Sequence, residues 1–412
     1  MRVRIVAAVC LAAALAVTVS AATAAPGKST ASSITVWLQT DAQNGWPDLV
    51  AGVNAQFAKD HPGVKVNVQY QQWTQHLAKF DATLAGGNAP DVIEMGNTEM
   101  TKYMAAGALQ DLTSTRGSFD NSGKWLAGMV KWGSYGGKLY GIPYYAGSPV
   151  VTYRTDLFKK ARIAKPPTSL AQFTADAKKL ARTVHTKGFS PVYIAGPDWY
   201  TAMNFVYDYG GAIAKTSKGK WIGTLDSPRS IAGLTAWKNF WTTASRASKT
   251  ADEAHPFPYT VYAQGLVGAM PGASWVTCCI GKYAKVSKQF VMPSHTPGKS
   301  MPVFLGGSSL AVPVGANKAL AVDWMKDYTS TASMKVLQAK GNVPNATNLL
   351  GNSITERAAA HSWFVPQAKN WVNIENGNIL RSMLTQILVG KLSVKQAATF
   401  ASQNITSTLN AG

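Results

Sequence analysis

Thirteen tryptophans in a chain of 412 residues is a heavy aromatic load, and several fall outside any helical or strand periodicity. Trp73 follows Gln71 and Gln72, Trp275 closes the small-residue run 265–275, and Trp371 precedes Asn373 and Glu375. Asp41 and Asn44 stand after one short apolar run, Asn97 and Glu99 after another, and Tyr144 and Tyr145 follow a Gly-Ile-Pro turn. Indole and phenol rings present flat apolar faces, while amides and carboxylates present planar hydrogen-bonding groups. A ligand with C–H faces and a rim of hydroxyls, such as a sugar ring, needs both kinds of group in one place. Trp37, Trp132, Trp237, Trp241 and Trp324 lie inside strand or helix patterns and read as core.

Bond-making chemistry has less support. The six histidines (His61, His76, His185, His255, His295 and His361) never recur at ligand spacing, so no metal is expected. No Gly-x-Ser-x-Gly elbow, phosphate loop or dinucleotide fingerprint occurs, and no cofactor is expected. Glycoside hydrolysis needs two carboxylates placed across a sugar. With 20 acidic residues in the whole chain, and Asp91, Asp111, Asp226 and Asp323 placed at element ends, binding without chemistry is the better account. A secreted carbohydrate-active enzyme, a glycoside hydrolase or lyase, is the alternative.

The elements that would position these residues alternate. Strands are expected over 34–38, 64–70 and 91–95, and helices over 47–59, 74–85 and from the turn at 97–99 to Gly107. Strand and helix joined by short loops predict a parallel, doubly wound sheet, with the polar turns at the carboxyl ends of its strands. There Asp41, Asn44, Asn97 and Glu99 become candidates for ligand contact, although Asp and Asn at such turns are also favoured helix caps. A further helix is expected over 165–180, capped by Thr168 or Ser169. Gly306 and Gly307 permit close backbone approach or positive φ, with the hydroxyls of Ser308 and Ser309 beside them.

The order of these segments resembles the extracellular solute-binding proteins that feed ABC importers. The closest cadence is that of the carbohydrate-binding branch that includes maltose-binding protein. The resemblance rests on APDVIEMGNTEMTKYMAAGALQDLT (89–113), KLYGIPYYAGSPVVTYRTDLFKKA (138–161), KPPTSLAQFTADAKKL (165–180), GLVGAMPGASW (265–275) and FVMPSHTPGKSMPVFLGGSSLAVP (290–313), and covers nearly the whole mature chain. It implies an α/β fold of two lobes, each a mostly parallel sheet flanked by helices, with three inter-lobe crossovers. Lobe one would comprise 34–147 and 291–340, and lobe two 148–290 and 341–412. It also implies a sugar or oligosaccharide ligand held in the cleft, ABC permease subunits as partners, and a monomer. On that pattern Trp275 and Trp371 are cleft aromatics, and one of Tyr144 and Tyr145 faces the cleft, Tyr145 being the candidate. The full set of expected ligand contacts is Asp41, Asn44, Trp73, Asn97, Glu99, Tyr145, Trp275, Gly307, Ser308 and Trp371.

Length fits two domains. Arg2 and Arg4, an apolar run over 5–19 and Ala22-Thr23-Ala24 form a secretory leader over 1–25, so the protein is expected outside the cell, associated with the envelope. Cys10 lies within the apolar run, in a poor context for lipid attachment. Its removal leaves the neighbours Cys278 and Cys279, which can close a vicinal disulfide or stay reduced. The net charge of +20 falls to +18 on loss of Arg2 and Arg4. Because the lysines are dispersed, the charge reads as a solvated basic surface and not as a nucleic-acid site. A binder of anionic oligosaccharides with no role in transport is a third reading, which the charge alone favours.

Overall fold

A computed structural model describes residues 33–411; the expected leader and Cys10 lie outside the described residues. Two separate sheets organise the chain. The first has the strand order Lys65–Gln71, Ser33–Gln39, Val92–Gly96, Gly306–Ala311, Gly141–Gly147. The second runs Ser287–Phe290, Val150–Arg154, Val267–Gly272, Ser190–Val192. The pairs among the first three strands of sheet one are parallel, and only Gly306–Ala311 runs against its neighbours. In sheet two, Val150–Arg154 alone opposes the others.

Both exceptions have one cause. A chain that leaves one sheet at the carboxyl end of a strand enters the facing sheet from the cleft side, and must run away from the cleft. Val150–Arg154 does this after Gly141–Gly147, and Gly306–Ala311 does it on return. The carboxyl ends of the remaining strands therefore face the cleft from both sides, where open α/β sheets bind their ligands.

Helices cover both sheets, and each lobe buries its own core. The first holds Ile34, Val36, Leu38, Trp46, Phe57, Ile142, Leu310, Trp324 and Tyr328. The second holds Val151, Phe173, Leu180, Phe205, Trp237, Phe240, Phe290 and Leu384. Trp37, Trp132, Trp237, Trp241 and Trp324 are all buried. Ser169 caps the helix Leu170–Thr183 by accepting from the backbone N–H of Gln172.

Two boundaries move from their expected places. Met292, Met301, Val303 and Phe304 pack in the second core, so the chain returns to the first lobe at 305–306 and not at 291. The extended segment 291–304, whose apolar residues read as a returning strand, instead folds back through a Pro293–Ser300 bridge. Residues 343–346 stay with the first lobe: Val343 bridges Ala146, Ala346 bridges Trp125, and Asn345 donates to the Pro143 carbonyl at 3.0 Å. The third crossing therefore lies beyond Leu349, which packs on the first core, and not at 341.

Gly307 sits where the chain re-enters the first sheet. A Cβ there would meet the Tyr145 carbonyl oxygen at 2.5 Å and the Trp132 ring at 2.9 Å, so the glycine is required by close approach and not by positive φ. Opposite it the pairing slips: Ser308 faces Tyr145 and Ser309 faces Pro143, which leaves Tyr144 as the extra residue of a bulge. The bulge lets two consecutive tyrosines enter the same core. Gly307→Ala should destabilise the first lobe by about 1–3 kcal/mol through overpacking against backbone. A thermal melt checks this; an unchanged melting temperature would mean that the strand can shift to accept the methyl group.

Candidate functional site

The first lobe's face is built on the carboxyl ends of its strands. Asp41 lies on a short helix, Thr40–Gly45, where it caps nothing; its carboxylate accepts from the Trp73 indole N–H at 2.7 Å. Burial raises the Asp41 pKa, and the indole bond opposes that shift. Glu94 projects from the middle of the buried strand Val92–Gly96 and accepts from the Gln39 backbone N–H at 2.9 Å. Its other oxygen has no partner among the described residues, and the residue is 1% exposed. Burial pushes the Glu94 carboxyl up to about 7, against the lowering effect of the Gln39 bond.

Glu99 closes the turn after the same strand by accepting from the Gly96 N–H at 2.7 Å, and lies 3.0 Å from His76 Nε2. Burial alone would lower the His76 pKa, but the Glu99 carboxylate outweighs it and holds it above the ordinary imidazole value. Tyr145 packs edge-on against Trp46 and Tyr144, with Glu94, Asp41 and Ser308 around its hydroxyl. Tyr144 is fixed in the core by the Tyr328 hydroxyl at 2.5 Å and the Trp46 indole N–H at 2.7 Å.

The second lobe answers with Tyr200, stacked on Trp199 at 3.9 Å, and with Tyr259 and Trp275, whose rings lie 6.1 Å apart. Trp275 is half-buried on a 3-10 turn, Ser274–Cys279, and packs against residues of both lobes. Cys278 and Cys279 are joined as a vicinal disulfide, and the Cys278 sulfur lies 4.0 Å from the Asn44 carbonyl across the cleft. Trp371 donates its indole N–H to Glu375 at 2.6 Å, and Arg381 pairs with Glu253. The lobes meet where the Thr98 hydroxyl donates to Glu375 at 3.2 Å. Burial first, and then the negative charge of Glu99, pushes the Glu375 carboxyl up to about 7, while the bond from Trp371 opposes the shift.

The structure places Asp41, Trp73, Glu99, Tyr145 and Ser308 near one another at the strand ends of the first lobe, and Trp275 of the second lobe packs against that lobe's core. Four other expected contacts sit differently. Trp371 is 1% exposed, with its ring packed near Trp199, so it positions Glu375 and has no free face for a ligand. The Asn97 amide donates to the Leu305 carbonyl, which ties down the returning chain. Gly307 has its faces closed by Tyr145 and Trp132. The Asn44 side chain is exposed, and its backbone carbonyl meets the disulfide.

Sequence reasoning does not point to Glu94, Tyr200, Glu253 or Tyr259, which lie beside these candidates. Glu94 had a signal: one acid within an otherwise apolar strand must find partners or function. Among the described residues, no group of three or more His, Cys, Asp or Glu side chains could hold a metal ion, and no helix is long and apolar enough to cross a membrane.

Because the folded protein holds Glu375 protonated up to about pH 7 while an unfolded glutamate releases its proton near 4.5, the folded state binds more protons between those values. This contribution to stability therefore falls as pH rises through that window. Glu375→Gln should raise the melting temperature of the ligand-free protein at pH 8 and lose that advantage at pH 5. A variant less stable than the parent at pH 8 would show that the charge itself holds the lobe together.

Residues 53–360 match the family described as bacterial extracellular solute-binding protein. The diacetylchitobiose binding protein DasA of Streptomyces coelicolor is 30% identical over 377 residues, which cover 87% of this chain and 86% of that protein. A maltooligosaccharide ABC transporter solute-binding lipoprotein of Streptococcus pneumoniae is 25% identical over 93% of this chain and 90% of its own length. Among solved structures, the GacH receptor of Streptomyces glaucescens superposes with a TM-score of 0.79 at 19% identity, covering 92% of this chain and 98% of that one. By fold and by sequence, the chain belongs to the family of bacterial extracellular solute-binding proteins.

Proposed function

We propose that this protein is the secreted, sugar-capturing component of an ABC importer. It takes a short oligosaccharide between its lobes and hands it to permease subunits in the membrane. The carrying observation is the pairing of opposed faces: Trp73 and Tyr145 with Asp41 and Glu99 on one lobe, Tyr200, Tyr259 and Trp275 with Glu375 on the other. Aromatic faces stack on the C–H faces of a sugar, and carboxylates and hydroxyls receive its rim. The names of the relatives, one for diacetylchitobiose and one for maltooligosaccharide, support the ligand class. The Arg-flanked apolar leader supports secretion, and the protein would act as a monomer with no nucleic-acid partner.

The mechanism is a population shift. Each lobe alone offers half of the contacts, so a ligand touching both stabilises the closed form in proportion to what it gains there. The permease then reads the closed form. The geometry does not favour hydrolysis, because Asp41, Glu99 and Glu375 are each tied to Trp73, His76 and Trp371 in positions that fix the site's walls.

Titration calorimetry against mono- and oligosaccharides tests the reading, with Trp275→Ala as the diagnostic variant. Loss of a stacked indole removes about 1–3 kcal/mol, so sugar affinity should fall by roughly ten- to a hundredfold. Trp237→Ala, which empties a fully buried core position, should instead cost about 3–5 kcal/mol of stability. If Trp275→Ala bound sugar normally and melted as low as Trp237→Ala, Trp275 would be a core residue.

A further inference from the structure

The cleft is acidic in a chain whose formal charge is +20. Asp41, Glu94 and Glu99 come from the first lobe, and Asp198, Glu253 and Glu375 from the second. They fall into two groups joined by a cation: Asp41 acts on Glu94, Glu94 on His76, His76 on Glu99 and Glu99 on Glu375, while Glu253 and Asp198 act on each other, and Arg381 acts on Glu375, Glu253 and Asp198. Among the described residues His76 and Arg381 act on them, and each is already paired with one acid. His76 lies against Glu99, and Arg381 against Glu253. Asp198 caps the helix Trp199–Asp208 through the Thr201 N–H. The other three carboxylates are hydrogen-bonded only by neutral donors: Asp41 by the Trp73 indole, Glu94 by the Gln39 N–H, and Glu375 by the Trp371 indole and the Thr98 hydroxyl; His76 acts on Glu94 and Arg381 on Glu375 without a hydrogen bond to either.

Neutral donors satisfy lone pairs but do not cancel charge, and a buried carboxylate without a counter-charge is costly. Two further groups wait for a partner at the same place. One oxygen of Glu94 and the hydroxyl of Ser308 make no hydrogen bond of good geometry among the described residues; Ser308 lies close enough to act on Glu94 and on Tyr145, and both residues are 1% exposed. A sugar hydroxyl could fill the hydrogen bond yet would leave the net charge untouched. An acidic sugar would add to it. A protonated amine both donates and neutralises, and charge-assisted bonds are about twice as strong as neutral ones.

We propose that the sugar taken by this cleft carries free amines, so that its ammonium groups lodge among the carboxylates of Asp41, Glu94 and Glu375; the ligand would be a glucosamine-type oligosaccharide, not an N-acetylated or uncharged one. This rests on the sugar-binding reading above and narrows it. The basic outer surface does not oppose entry, since exposed charges farther than about 10 Å away are largely screened at 0.1 M salt.

Three disaccharides of the same β-1,4 linkage differ only at carbon 2: the glucosamine disaccharide, its diacetylated form and the glucose disaccharide. Calorimetry at pH 7 on the intact mature protein should show the free-amine form binding at least about tenfold more tightly than the other two, with an affinity that falls as salt rises. Glu375→Gln, checked by a cooperative melt at pH 5, where its stability should match the parent's, should shrink that preference several-fold. If the diacetylated or glucose form binds as tightly as the amine, the amine assignment is wrong and sugar binding stands. If none of the three, and no sugar in a wider screen, binds, both readings fall together.

Discussion

One hydrogen bond holds the logic of the molecule: the Thr98 hydroxyl of the first lobe donates to Glu375 of the second, one residue away from Glu99. Around it two acidic surfaces are brought face to face. Like charges at such range repel, and taking them from water raises the cost further, so that Glu375 keeps its proton up to about pH 7. The ligand-free closed form is therefore limited by its own electrostatics, and the missing stabilisation must come from what binds. That is the condition a ligand-gated hinge requires, because a closed form that was favourable without ligand would not respond to it.

The backbone explains why those surfaces meet at all. Each lobe ends its parallel strands at the cleft, and each crossing strand enters its new sheet in reverse. Polar turns such as Asn97–Glu99 are thereby collected at one seam, and the apolar strand interiors are left to the cores. Rigid packing around Tyr144, Tyr328 and Trp46 then fixes the neighbouring Tyr145 at the floor of the seam.

Much of this was legible in the sequence. The strand–turn–helix cadence and the strand ends at Asp41 and Glu99 follow from local periodicity, which the backbone obeys residue by residue. What was not legible depends on long-range partners. Trp371 and Trp275 both precede or follow polar turns, yet one is packed in the core and the other lies at the seam between lobes. Only the helices that cover Trp371 decide this. The sequence points to a return crossing near Val291 because extended apolar residues look alike whether they cross a cleft or fold back on the same lobe. Arg381 and Glu253 are 128 residues apart, and no local pattern joins them. Glu94 is the instructive miss, since a single acid in an apolar strand is visible and carries its own question.

The central claim is that ligand contacts from both lobes drive closure. Small-angle scattering of the mature protein, with and without a sugar shown by calorimetry to saturate it, measures this most directly. The account predicts a smaller radius of gyration in the saturated protein. An unchanged radius at confirmed saturation would contradict it.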